Sequence, residues 1–227
     1  MQKICVLTDA DKGVGLNICR LLCRRCPDIF YVTTRDIEVG QQLMDKLKEM
    51  GSYPEYHQLD VSDRESVTRF RDHIQSKNGC IVTLINNVAI GARLNNTTYD
   101  DAKFIIDNYY YGYVNVQEVL FPLLASSGRV LYLSLASSTS RIMNDYWRER
   151  LSMKHLRQND INDFLQWFLE TMKTGDFTDN YIADDKVRAI YSISTVSLTL
   201  LVKLQQKQLA PRSISVNFLH PRWAQIY

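Results

Sequence analysis

Between Thr8 and Gly15 the chain reads TDADKGVG, and a loop of that composition can hold a phosphate. Glycine lacks a Cβ, so backbone at Gly13 and Gly15 can approach a pyrophosphate closely. A helix starting directly behind offers unpaired N–H groups and the positive end of its dipole. The apolar run Ile4 to Leu7 precedes the loop and a helical pattern follows it, the order such a site requires. Two glycines also suit any tight strand-to-helix turn, so the stretch is either a dinucleotide cradle or a plain turn. Other residues able to do chemistry stand at the polar ends of apolar runs: Arg35-Asp36, Asp60, Asn86-Asn87, Ser134 to Ser138 and His220 to Trp223. Tyr191 stands apart from these, inside a long helical pattern.

These residues need elements to position them. Phe30 to Thr34, Glu55 to Leu59, Cys80 to Ile85, Arg129 to Leu133 and Ser213 to Phe218 read as strands after the first one. Helical patterns fill the intervals: the first ends at Cys26-Pro27, and others cover 37–50, 63–77, 99–125 and 186–209. Strand and helix alternate without hairpin turns, which implies parallel strands, right-handed crossovers and helices on both faces. In such a sheet the ligand lies beyond the carboxyl ends of the strands, where strand order reverses. From 136 to 187 the alternation stops, and Ile161, Phe164, Leu165, Phe168, Leu169 and Met172 form one apolar helical stripe, read as packing. No internal repeat, low-complexity tract or interdomain linker is seen, so the expectation is one α/β domain over 1–227.

Composition narrows the partner. Lys and Arg number 27 against 25 Asp and Glu, a formal charge of +2 that gives no electrostatic footprint for nucleic acid or a membrane surface. A small molecule is the expected partner, and with no apolar run of membrane-spanning length and no signal-peptide pattern the expected location is the cytoplasm. The aromatic run Tyr109 to Tyr113 reads as helix packing, not as a base-stacking platform. Cys19, Cys23 and Cys26 share a helical face, but no histidine or fourth thiol is near in sequence, so they are expected to fill core and hold no metal.

The segments TDADKGVGLNICRLLC, TTRDIEVGQ, YHQLDVSD, LINNVAI, GRVLYLS, YSIST and HPRW together resemble the short-chain dehydrogenase/reductase family, in particular its monomeric carbonyl reductase branch. The resemblance spans nearly the whole chain. It implies a Rossmann-type doubly wound parallel sheet of about six strands, with a helical insertion at about 140–185 that keeps relatives monomeric. By position it implies that Thr8 to Gly15, with Asp11, Lys12, Gly13 and Val14, hold pyrophosphate, that Asp60 and Val61 flank adenine, and that Asn86 closes the adenosine side. Lys12 and Arg35 resemble the pair that contacts a 2′-phosphate. Cations after the second strand attract such a phosphate whereas a carboxylate there accepts from a ribose hydroxyl, so NADP(H) is favoured although Asp36 allows the other reading.

The resemblance assigns Tyr191 as proton donor to a carbonyl, and the chain departs from the family around it. The family's lysine position is Thr195, its serine position Leu135 and its asparagine position Tyr109, the last two on an ungapped placement. Asp9 replaces a glycine, Arg222 replaces the glycine after Pro221, and the sequence ends where relatives continue into a substrate lid. A tyrosine of pKa ~10 gains on the order of 4 kcal/mol, or ~3 pK units, from a cation ~4 Å away. Threonine supplies no such charge, and general acid help is worth ~10²- to 10⁴-fold. Ser137 shares strand parity with Leu135 and is a candidate substitute for the serine if the strand continues that far; Arg188 lies one helical turn before Tyr191 and is a candidate substitute for the cation. The expected function is therefore reduction of an aldehyde, ketone or quinone with NADPH, and the alternative is a silent member binding dinucleotide or a protein partner without turnover.

Overall fold

β1 (Gln2–Leu7) lies inside a six-stranded sheet because Ile4, Val6 and Leu7 are fully buried and Cys5 nearly so, as a strand covered on both faces requires. A computed structural model describes residues 1–11, 13–26, 28–88, 98–134, 143–175 and 186–219. They fall into two compact units, the first being Met1–Ala89, Gly112–Leu135 and Leu209–Tyr227, the second Ile90–Tyr111 and Ala136–Gln208.

In the first unit β1 is joined by β2 (Ile29–Thr34), β3 (Glu55–Gln58), β4 (Gly79–Val88), β5 (Leu124–Ser134) and β6 (Ser215–Leu219). All pairings are parallel and the order is β3-β2-β1-β4-β5-β6. The fold is thus the Rossmann-like α/β sheet, with its reversal of order between β1 and β4. α1 (Gly13–Leu22), α2 (Ile37–Glu49), α3 (Arg64–Ser76) and α5 (Gly112–Leu120) belong to the same unit. α2 is started by Asp36 and buries Leu43 and Leu47; α3 is started by Asp63 and buries Val67, Phe70 and Ile74 at helical spacing.

The second unit holds α4 (Tyr99–Ile106), a π turn over Asp107–Tyr111, α6 (Asp145–Ser152), α7 (Gln158–Thr174) and nearly all of α8 (Lys186–Leu209). The α7 stripe Ile161, Phe164, Leu165, Phe168, Leu169 and Met172 is buried, with Trp147 of α6 against Phe164 at 5.4 Å between ring centroids. Tyr109 and Tyr110 are buried and the Tyr110 hydroxyl donates to Asn162 Oδ1 at 2.9 Å, so the tyrosine run serves packing. Among the described residues no helix is long and apolar enough to cross a membrane.

β4 and β6 differ by a few residues at their ends from the strands read in the sequence, and three other boundaries differ more tellingly. α1 stops at Leu22, so Cys23 and Cys26 stand in the turns beyond it. The single helix expected at 99–125 is interrupted by the π turn and ends at Leu120, where Pro122 enters a 3₁₀ turn. β5 starts at Leu124, not Arg129, because a register shift against β4 absorbs the Ser127-Gly128 kink, with Ser127 at φ 62°.

Candidate functional site

The site is built where the first unit's strands end. β1 runs on past Leu7: the Thr8 N–H donates to the Ile85 carbonyl at 3.0 Å, and the buried Thr8 hydroxyl accepts from the Asn87 N–H at 3.0 Å. The chain then turns through Asp9 at φ 48° and Gly13 at φ 57° into α1, whose first turn carries no acidic residue. Asn87 reaches across with its side-chain amide to the Asp9 carbonyl, 2.7 Å away. A Cβ on Gly15 would lie 2.6 Å from that amide nitrogen and 2.6 Å from the Asp9 oxygen, so only glycine lets the helix start this close. The positive φ at Asp9 gives a physical reason for glycine at this position in the pattern the sequence resembles.

The turn after β3 is held from two sides. Asp60 Oδ1 accepts from the Ser62 N–H and hydroxyl at 2.9 and 2.7 Å, and Asp60 Oδ2 lies 3.5 Å from Arg35 Nε. Val61, buried, meets α5: a Cβ on Gly112 would fall 2.9 Å from Val61 Cγ2, and Asn115 donates to the Val61 carbonyl at 3.1 Å. Next to Gly112 on the same helix, the Tyr113 hydroxyl donates to the Asn87 carbonyl at 3.3 Å. α5 therefore braces both the Asp60-Val61 turn and the end of β4.

Asp36 accepts from the Val39 N–H at 3.0 Å as the N-cap of α2, so its carboxylate is engaged at the helix start. Beside it Arg35, Asp36, Ile37, Glu38, Gln58 and Arg69 line an open hollow of about 480 Å³. Gln58 Nε2 donates to the Arg35 carbonyl at 2.9 Å, fixing the backbone from which the half-exposed Arg35 side chain extends.

Asn86 is fully buried, and neither its amide nitrogen nor its oxygen has a hydrogen-bond partner among the described residues. Its register partner is Tyr132, placing both on the face opposite Asn87. An unsatisfied buried amide costs about 1–3 kcal/mol, a cost that a ligand at this strand end can offset.

In the second unit, Tyr191 is half-buried on α8, and burial pushes its phenol above the ordinary tyrosine value. The Thr195 hydroxyl donates to the Tyr191 carbonyl at 2.9 Å, a bond within the helix that occupies the lysine position with a spent donor. Tyr109, taken as the asparagine position, lies in the π turn with Asn108 before it, whose amide donates to the Phe104 carbonyl at 2.7 Å. A π turn holds one residue more than an α-helical turn. Ser137, Leu135, Lys12 and His220 to Trp223 lie outside the described residues, as does the Arg188 side chain.

The first unit thus brings together Thr8, Gly13, Gly15, Arg35, Asp60, Val61 and Asn86. Asp11 and Val14 lie in the same loop and first helical turn. The reading by sequence named Asn87 among the strand-end residues but missed Gly112, Asn115 and Arg69 as parts of this framework, and of these only Gly112 carried a local signal, an isolated glycine in a helical run. It also found no fourth thiol near Cys19, Cys23 and Cys26. Folding corrects this, because β1 sets Cys5 Sγ 3.1 Å from Cys26 Sγ.

Comparison with known proteins agrees with this architecture. Residues 3–144 match the family described as short chain dehydrogenase. Carbonyl reductase (NADPH) 3 of Mus musculus is 26% identical, the alignment covering 98% of this chain and 82% of that one. Carbonyl reductase (NADPH) 1 of Sus scrofa is 26% identical over 97% of this chain and 78% of that one. Among solved structures, salutaridine reductase from Papaver somniferum superposes with a TM-score of 0.85 at 22% identity, over 97% of this chain and 86% of that one. Menthone neomenthol reductase from Mentha piperita gives 0.82 at 23%, over 100% and 91%. With the family matched over more than half its length and the sheet order in place, the chain belongs to the short chain dehydrogenase family.

Proposed function

We propose that this protein is an NADPH-dependent reductase of a small-molecule aldehyde, ketone or quinone, acting as a monomer in the cytoplasm. The observation that carries the cofactor choice is the commitment of Asp36 to the start of α2, beside a hollow that Arg35 and Arg69 line. A free carboxylate there would accept from a ribose hydroxyl; cations beside a capped carboxylate suit an added phosphate. The NADPH named in both carbonyl reductase relatives supports the same choice.

NADPH, when bound, supplies the hydride, and the remaining work falls to the chain. Thr8 to Gly15, including Asp11, Lys12, Gly13 and Val14, hold the pyrophosphate at the α1 N-terminus. Lys12 and Arg35 take the 2′-phosphate, Asp60 and Val61 flank adenine, and the unsatisfied Asn86 amide supports a ligand over the end of β4. Tyr191 donates its phenolic proton to the substrate carbonyl oxygen. Its raised pKa keeps that proton in place through neutral pH, which suits a donor and slows its release. Ser137 orients the carbonyl, and Asn108, displaced by the π turn, takes the asparagine position.

The test is steady-state turnover with NADPH across a panel of quinones and ketones. Turnover that Tyr191→Phe lowers by ~10²- to 10⁴-fold in kcat with KM little changed is the expected result. Turnover unchanged in Tyr191→Phe would remove the assigned donor. NADPH binding without any turnover would mark a silent member.

A further inference from the structure

At the opposite end of the sheet from the phosphate loop, two thiols and a carboxylate converge. Cys5 is in β1, where it pairs in register with Phe30 of β2, and Cys26 and Asp28 stand in the connection that returns from α1 to the first residue of β2. Cys26 Sγ donates to Cys5 Sγ at 3.1 Å, and both sulfurs lie within 4.8 Å of an Asp28 carboxylate oxygen. Cys5 is buried while Cys26 and Asp28 are half-buried, which gives the cluster one closed side and one side open to solvent.

We propose that Cys5, Cys26 and Asp28 form a binding site for a thiophilic divalent cation of the zinc type. Zinc-type centres take thiolates at ~2.3 Å and carboxylate oxygens at ~2.0–2.2 Å in tetrahedral geometry, so neighbouring ligand atoms stand about 3.5–3.8 Å apart. Opening the sulfurs from 3.1 Å to that spacing needs only a small rotation of the half-buried Cys26 side chain. Binding displaces the two thiol protons to solvent, and the resulting two thiolates and one carboxylate surround the dication. Water completes the fourth position on the open side.

Charge favours a cation here over a disulfide. The groups that meet Cys5 in the cluster are Cys26 and Asp28, neither of them cationic. A disulfide must form through a thiolate, which the Asp28 charge opposes, and the sulfurs would have to close to ~2.05 Å. A metal ion reverses the same electrostatics, because it turns three mutually repelling groups into ligands.

The experiment titrates the reduced full chain with Cd²⁺ and follows the thiolate-to-metal absorption band in the near ultraviolet. A band that saturates at one ion per chain, disappears in Cys26→Ser and needs at least ~10-fold more Cd²⁺ in Asp28→Asn is the result expected. Cys26→Ser replaces a half-buried side chain, and the far-ultraviolet spectrum checks that it folds; Asp28→Asn gives an independent reading that leaves both sulfurs in place. A full-strength band in both variants, a band that vanishes only in a Cys19→Ser/Cys23→Ser double variant, or no band at all would overturn the assignment.

Discussion

The Asn87 side-chain amide closes on the Asp9 carbonyl at 2.7 Å, tying the end of β4 to the start of the phosphate loop over the Cα of Gly15. A methyl group on Gly15 would meet backbone at 2.6 Å, and backbone cannot move aside as a flexible side chain can. Gly15→Ala is therefore expected to abolish NADPH binding and to lower stability by more than Asn87→Ala, which leaves the Asp9 carbonyl unpaired at a cost of about 1–3 kcal/mol. Urea unfolding of both variants, with cofactor titration, checks the order.

Asp9 adopts φ 48°, a conformation in which a side chain is unfavourable by roughly 1 kcal/mol or slightly more. Asp9→Gly should raise stability by about that amount. Removing a carboxylate from beside the pyrophosphate loop should also tighten NADPH binding. Both are read from denaturation midpoints and calorimetry. A destabilised Asp9→Gly would mean that the aspartate side chain contributes more than its backbone strain costs.

Tyr191 titrates above the ordinary tyrosine value because it is partly buried, and Thr195, one turn on, supplies no charge to bring it down. Turnover should be level through neutral pH and fall only above about pH 10, as the donor loses its proton. Thr195→Lys should move that alkaline limb down by up to ~3 units and raise kcat by ~10²-fold or more. The pH profiles of the two proteins, measured with the same quinone, decide it.

His57 is packed between Phe70 and His73 at 5.1 and 4.8 Å, and burial holds its pKa below the ordinary value. The unfolded chain then binds a proton that the folded chain resists, so this contribution to stability is present above about pH 6.5 and is lost as pH falls through the lower folded value. Unfolding free energy should decline from about pH 7 to pH 5, and His57→Gln should flatten that slope. Equal slopes in the two proteins would contradict the assignment.

The framework was legible where local chemistry decides it. Val32, Thr33 and Thr34, or Ile81 to Ile85, can hardly be anything but strand, and the α7 stripe from Ile161 to Met172 keeps helical spacing throughout. The loop from Thr8 to Gly15 was visible because glycine and turn chemistry are written in residue types. The π turn at Asp107–Tyr111 was not, since no composition distinguishes it from an α-helix. Contacts between distant segments were equally silent: Asn87 with Asp9, Asn115 with Val61 and Cys26 with Cys5 join residues whose types say nothing of each other.

The most direct test is calorimetric titration of the chain with NADPH and NADH, alongside Arg35→Ala and Asp36→Ser. Serine keeps the cap on α2, so Asp36→Ser should leave the preference for NADPH intact, whereas Arg35→Ala should remove most of it. Binding of neither dinucleotide, or a preference for NADH that Asp36→Ser abolishes, would contradict the account.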